Sequence, residues 1–159
     1  MAELQISRIA KWALIILLAV VLIIQAAGNR ASGTTFQDMA AAVRDSADLT
    51  PMSEGDNQML KRLYGIDGAE YDGFMLYYPA SSMGAEELLL VKLEEASQKE
   101  IVKAAMESRR AAQLSNFDGY GAEQTAMLEN SIIEIKNNYA LFVSAQNAAA
   151  VQEAFLKAY

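Results

Sequence analysis

The sequence predicts an α+β protein: a single N-terminal transmembrane helix, then a small domain whose three-stranded, mainly antiparallel sheet is packed by about five helices. Three observations carry that reading. Residues 12–27, WALIILLAVVLIIQAA, hold no charged side chain. Three short runs of aromatic and aliphatic residues, 74–78, 87–93 and 139–145, have the length and composition of strands. Elsewhere apolar residues recur three and four positions apart, the spacing of amphipathic helices.

The apolar run organises the chain. From Ile9 to Ala27 about 19 helical residues would span roughly 28 Å, against a hydrocarbon core of about 30 Å. The stem of Lys11 is long enough to bring its ammonium to the headgroups, and Trp12 falls at the aromatic-belt level. The expected division is 1–11 as cytoplasmic N-terminus, 12–28 as transmembrane anchor, 29–35 as tether and 36–159 as extracytoplasmic domain. Arg8 and Lys11 precede the run, while Arg30 and Arg44 follow it, which leans towards an inside N-terminus. A cleaved signal peptide is the alternative, since the start is charged, the apolar core is short and Ala26-Ala27-Gly28 is a trio of small residues. The rest of the chain lies outside the cytoplasm on either reading, as a single-pass membrane protein contacting lipid through 12–27 or as a secreted one. No Cys follows the run to carry a lipid, and the Glu expected early in a type IV pilin helix is missing.

After the small, polar stretch GNRASGTT (28–35), Thr34 or Thr35 can cap a helix on which Phe36, Met39, Ala40, Val43 and Ala47 form one stripe. Ser53-Glu54 is read as the start of a second helix with Met59, Leu60 and Leu63 inward, closed by a left-handed Gly65. FMLYY (74–78) is the first strand, stopped by Pro79, and ELLLVKL (87–93) the second. The second is apolar on both faces and therefore central. Ser97 opens a long helix to about Leu114, with Ile101, Val102, Ala105, Met106 and Ala112 on its buried side. Leu128, Ile132 and Ile135 read as a further helix ended by Asn137-Asn138; YALFVSA (139–145) is the third strand, and Asn147 caps a last helix carrying Val151, Ala154, Phe155 and Ala158. The first two strands pair as a hairpin. The two helices between the second and third strands return the chain to its starting end, which favours antiparallel pairing there.

Composition removes several chemistries. The chain has 159 residues and a net charge of −7, and residues 29–159 carry 11 basic and 19 acidic side chains. Nucleic acid is disfavoured as a partner. Cys and His are both absent, so there are no disulfides, no Ser-His or Cys-His catalysis and no imidazole ligand for a metal. No cofactor is expected: Gly65-xx-Gly68 and Gly119-x-Gly121 lack the Lys-Ser/Thr of a phosphate loop and the strand-to-helix setting of a dinucleotide site.

Four stretches, Tyr64-Gly65-Ile66-Asp67, Ala85-Glu86-Glu87-Leu88 leading into Val91-Lys92, the series Arg109, Gln113, Phe117, Tyr120-Gly121, and Asn138-Tyr139-Ala140, resemble the DUF4358 family over roughly residues 36–156. The resemblance implies an exported bacterial domain of unknown function from Gram-positive organisms, often lipid-anchored or single-span. It further implies an accessory role beside another envelope protein, a membrane O-acyltransferase complex. The lipid-bearing Cys of many relatives is absent here.

Among candidate sites, Arg109, Gln113 and Phe117 recur every fourth residue and share a helix face with Tyr120 at its rim. They form either a recognition patch or a structural set that bonds the loop ending the helix. Glu86 and Glu87 open a strand, so they point to opposite faces and read as surface charge or loop anchors rather than a catalytic pair. Tyr77, Tyr78 and Tyr120, with Tyr71, are candidate flat faces for a glycan or half-buried packing residues. Ser81-Ser82 with Lys92 is the remaining nucleophile arrangement, and nothing in the spacing fixes their distance. The function expected is a non-catalytic protein-interaction accessory of a cell-envelope machine. An envelope-polymer binding module and a carboxylate or Ser/Lys hydrolase are the alternatives.

Overall fold

The computed structural model describes residues 11–20 and 33–159. The chain divides into two compact units, Met1–Arg30 and Ala31–Tyr159. In the first, residues 11–20 are helical (α1) and all exposed. Among the described residues no helix is long and apolar enough to cross a membrane, which overturns the transmembrane helix of the expected fold class. The remainder of the expected anchor, 21–28, and most of the tether lie outside the described residues.

The second unit is an α+β fold built on α2 (Phe36–Ser46), β1 (Met52–Gly55), α3 (Asn57–Tyr64), β2 (Gly73–Pro79), β3 (Glu87–Lys92), α4 (Gln98–Phe117), α5 (Ala122–Glu129), β4 (Ile132–Lys136), β5 (Tyr139–Ser144) and α6 (Ala148–Ala158). The sheet has five strands in the order β1-β2-β3-β5-β4. Every pairing is antiparallel.

Five strands replace the three expected. Ser53-Glu54 does not open a helix but lies in β1, opposite Tyr78 and Tyr77. The helix starts after Asp56, whose carboxylate accepts from the Met59 amide at 2.8 Å. Ile132 and Ile135 are strand residues. Their hairpin turns through Asn137-Asn138, with Lys136 facing Tyr139 and Asn137 at φ 50°. Asn tolerates this left-handed backbone better than other side chains. A two-residue loop led by Asn is a hairpin signal, yet Leu128, Ile132 and Ile135 also fit helical spacing.

Alternation along β3 sets the layers. Leu88 and Leu90 face Met39 and Val43 of α2 and Val151 and Phe155 of α6. Leu89 and Val91 face Leu60 and Tyr64 of α3 and Val102 and Met106 of α4. The sheet is thus covered on both sides. A third, smaller cluster joins Ala85, Phe117 and Leu128 where α4 meets α5.

The ends of α2 and α3 follow ordinary capping physics, while two caps expected from the sequence do not form. Thr35 accepts from the Asp38 amide at 3.2 Å, and Gly65 closes α3 in the left-handed region at φ 69°. Ser97 makes no side-chain cap; Gln98 Oε1 instead accepts from the Glu94 and Glu95 amides at 2.8 and 3.2 Å. Asn147 does not cap α6 either; its side-chain amide donates across the fold to the Ser46 carbonyl at 2.9 Å. Ile101 and Ala112 are exposed rather than core-facing.

Candidate functional site

The buried face of α4 carries Val102, Met106, Gln113 and Phe117, and Arg109 falls on the same stripe. An Arg and a Gln inside an apolar stripe require a polar partner on the surface they meet. Strand β3 supplies it. Glu87 shares the face of Leu89 and Val91 and is completely buried. Arg109 grips its carboxylate as a fork: Nη2 donates to Oε2 at 2.8 Å, and Nε lies 3.0 and 3.1 Å from Oε1 and Oε2. Gln113 Nε2 donates to Oε2 at 3.2 Å, and the Tyr64 hydroxyl, from the last turn of α3, donates to Oε1 at 2.7 Å.

One carboxylate therefore fastens α3, β3 and α4 together. Charge-assisted, bidentate pairs are the strong class of hydrogen bond, and the lone pairs of Glu87 are used up by these donors. Burial, and then the negative charge of Glu87, push the Tyr64 phenol well above its ordinary value, so it stays a neutral donor. Across the sheet Glu87 faces Ser144. That residue is fully buried, and its hydroxyl has no hydrogen-bond partner. A saturated carboxylate opposite it leaves no acceptor to offer.

The other candidate residues are scattered. Phe117 is buried against Ala85 and Leu128. Tyr120 is 64 % exposed, with its ring centroid 6.0 Å from that of Phe117. Tyr77 and Tyr78 are consecutive in β2 and point to opposite faces; Tyr77 packs in the α2–α6 layer. The tyrosines form no shared platform. Glu86 is half-buried, accepts from the Ala85 amide at 3.1 Å and borders a surface cleft. Glu87, read from sequence as surface charge or a loop anchor, is an interior ion. Arg109 and Gln113 bond it rather than a loop at the helix end. Lys92 lies at the far end of β3 from Ser81-Ser82, opposite Gly73, with Asp72 at 3.6 Å, so no Ser-Lys pair is assembled. Among the described residues no group of three or more acidic side chains is arranged to hold a metal ion.

Sequence reasoning missed Tyr64 and Ser144. Tyr64 lies four residues after Leu60 on the inward face of α3, and a phenol there signals a buried acceptor nearby. No comparable signal marks Ser144.

The fold and site define a class: a small antiparallel-sheet domain covered by helices on both faces and pinned inside by a saturated carboxylate. The family model described as a domain of unknown function, DUF4358, matches residues 45–145, well over half of the chain, and the chain belongs to that family. Three of the four stretches that carry the resemblance each contribute to the network: Tyr64, Glu87, and Arg109 with Gln113. No curated protein and no solved structure matches the chain.

Proposed function

We propose that the domain is a non-catalytic protein-interaction module, an accessory to a larger machine of the cell envelope. The observation that supports this most directly is the state of Glu87. The assembly of carboxylate, guanidinium, amide and phenol around it is buried and internally satisfied. A general base must reach the proton it abstracts, whereas this carboxylate reaches only its own fold. With His and Cys absent from the sequence, what the domain offers is its surface. The proposal keeps that surface outside the cytoplasm, on the strength of the charged start, short apolar core and small Ala26-Ala27-Gly28 trio that suit an export signal. A domain protected from protease in intact cells but digested after lysis would refute that location. For the interaction itself, crosslinking in cells followed by purification of the full chain in mild detergent should return the same partner repeatedly. Consistent recovery of the protein alone would overturn the reading.

A second reading, a hydrolase using carboxylates, is favoured by the cleft that Glu86 shares with Glu123. It is the weaker of the two because a general acid must be kept protonated by burial. Glu123 is exposed in the first turn of α5. Hydrolysis of an envelope polysaccharide by the purified protein, lost in Glu86→Gln, would move the assignment.

A further inference from the structure

We propose that the trough crossing the sheet where β3 begins and β5 ends is the docking site for a basic peptide segment of the protein partner. This rests on the reading of the domain as an interaction module. Two clefts meet there. One, of about 590 Å³, is walled by α5 through Glu123, Met127 and their neighbours. The other, of about 340 Å³, is bounded by Asp48 and Pro51 of the α2–β1 connection. Glu86, Ala145 and Gln146 line both, so the clefts adjoin at the end of the strand pair. Two adjoining surface clefts open to solvent fit an extended chain better than a small enclosed ligand.

Its chemistry selects the charge of that chain. Asp48, Glu86 and Glu123 are the ionisable side chains that line it, and no Lys or Arg does. Among the described residues none of the three is in an ion pair. Carboxylates gathered on low-dielectric walls focus a negative potential. The apolar surface between them comes from Met127, Ala126, Ala145 and Pro51, and a flexible Met adapts to varied apolar side chains. The Gln146 amide stands exposed beside them, able to donate to and accept from a peptide backbone. The pocket bordered by Glu70, Glu94 and Glu95 is acidic too, but its own residues bridge it. Gln98 donates to the Glu70 backbone carbonyl at 2.6 Å while accepting from the Glu94 and Glu95 backbone amides, and Lys61 brings a cation to it by pairing with Asp67 at 2.6 Å.

The test titrates the full-length chain in mild detergent with a fluorescent peptide of alternating Lys and Ala around one Leu. A Glu-for-Lys peptide is the control. Amide shifts should concentrate at Met127, Ala145 and Gln146, and affinity should fall with added salt. Glu86→Lys with Glu123→Lys should weaken binding by about tenfold or more, and Glu94→Lys with Glu95→Lys, an identical change in net charge, by less than about twofold. Equal losses in both pairs, shifts spread over all acidic surfaces, or no binding of the Lys peptide would overturn the proposal. Crosslinking in cells separates the two levels: a partner still captured by the Glu86→Lys, Glu123→Lys chain sinks the trough and spares the interaction reading. No partner captured by the unaltered chain sinks the interaction reading itself.

Discussion

Arg109→Met should be among the most damaging single substitutions in the domain. It removes the fork that neutralises Glu87, whose side chain is 0 % exposed, while Arg109 itself is 13 % exposed. Two neutral donors, Tyr64 and Gln113, remain on the carboxylate, too few to replace a cation. Breaking a buried pair from one side costs about 3–5 kcal/mol. Unfolding entropy near the midpoint is about 2.1 cal/mol/K per residue. Over the 127 residues from 33 to 159 this is about 0.27 kcal/mol per degree, so the Tm should drop by about 11–19 °C. Glu87→Leu should cost a similar amount by stranding the guanidinium. The double variant should lose less than the sum of the singles, with a coupling energy of about 2–3 kcal/mol. It still leaves the Tyr64 hydroxyl and the Gln113 amide unpaired at about 1–3 kcal/mol each. Adding Tyr64→Phe and Gln113→Leu should recover most of the remaining loss. The assay is thermal and urea unfolding of the full-length chain, followed by far-UV circular dichroism. Single variants within about 0.5 kcal/mol of the parent, or losses that simply add, would refute the reasoning.

Alkali probes the same network. The folded-state value of Tyr64 is raised, so its contribution is complete below the unfolded value near 10 and is lost as pH climbs towards the folded one. Tyr64→Phe should reduce the alkaline slope by about 1.4 kcal/mol per pH unit, leaving the shares of Tyr71 and of Tyr139, which burial pushes up to about 12. In acid the sign reverses. Hydrogen bonds from Lys61 and Asn57 hold Asp67 down at about 2, so its contribution is present above its ordinary value and lost as pH falls through the folded one; Asp67→Asn should flatten the stability curve between those limits. Ser144→Ala removes a buried hydroxyl that has no partner. Chemical unfolding should show it neutral or more stable, by up to about 1–3 kcal/mol, and a clear loss of stability would show that the hydroxyl is bonded in solution.

The central strands were legible because their composition leaves no alternative. ELLLVKL and YALFVSA are apolar on both faces, and such runs fit only between two covering layers. They pair directly, Leu89 with Phe142 and Leu90 with Leu141. The edge strands were not legible, for a shared reason. β1 is four residues long, and each residue of β4 is only half-buried, so neither carries enough apolar signal to separate a period of 2 from one of 3.6. At Glu87 the difficulty was of another kind. Alternation along β3 put it on the inward face, but the choice between surface charge and interior ion depends on what covers that face. That is set by α4, which begins 11 residues after Glu87. The helix held the clue in the shared face of Arg109, Gln113 and Phe117, which continues the buried stripe of Val102 and Met106, whereas Ile101 and Ala112, expected inside, are exposed.

A buried ion pair is a poor source of net stability, since well-packed apolar residues can replace it without loss. What it adds here is discrimination between alternative packings. The stripe of α4 meets a strand made largely of leucine, and a helix slid by one turn, about 5.4 Å, would still bury apolar surface on it. The slid helix would leave a carboxylate and a guanidinium unpaired in the interior, a far larger cost than any lost methylene contact. Tyr64 extends the constraint to α3, so two helices and the central strand share one permitted arrangement. The apolar quadruple variant should therefore keep much of its melting temperature and lose uniqueness first, seen as broadened methyl resonances for Leu89, Val91, Val102 and Met106. Sharp single resonances there would mean that side-chain shape alone fixes the packing, and that the charge network is dispensable to the fold.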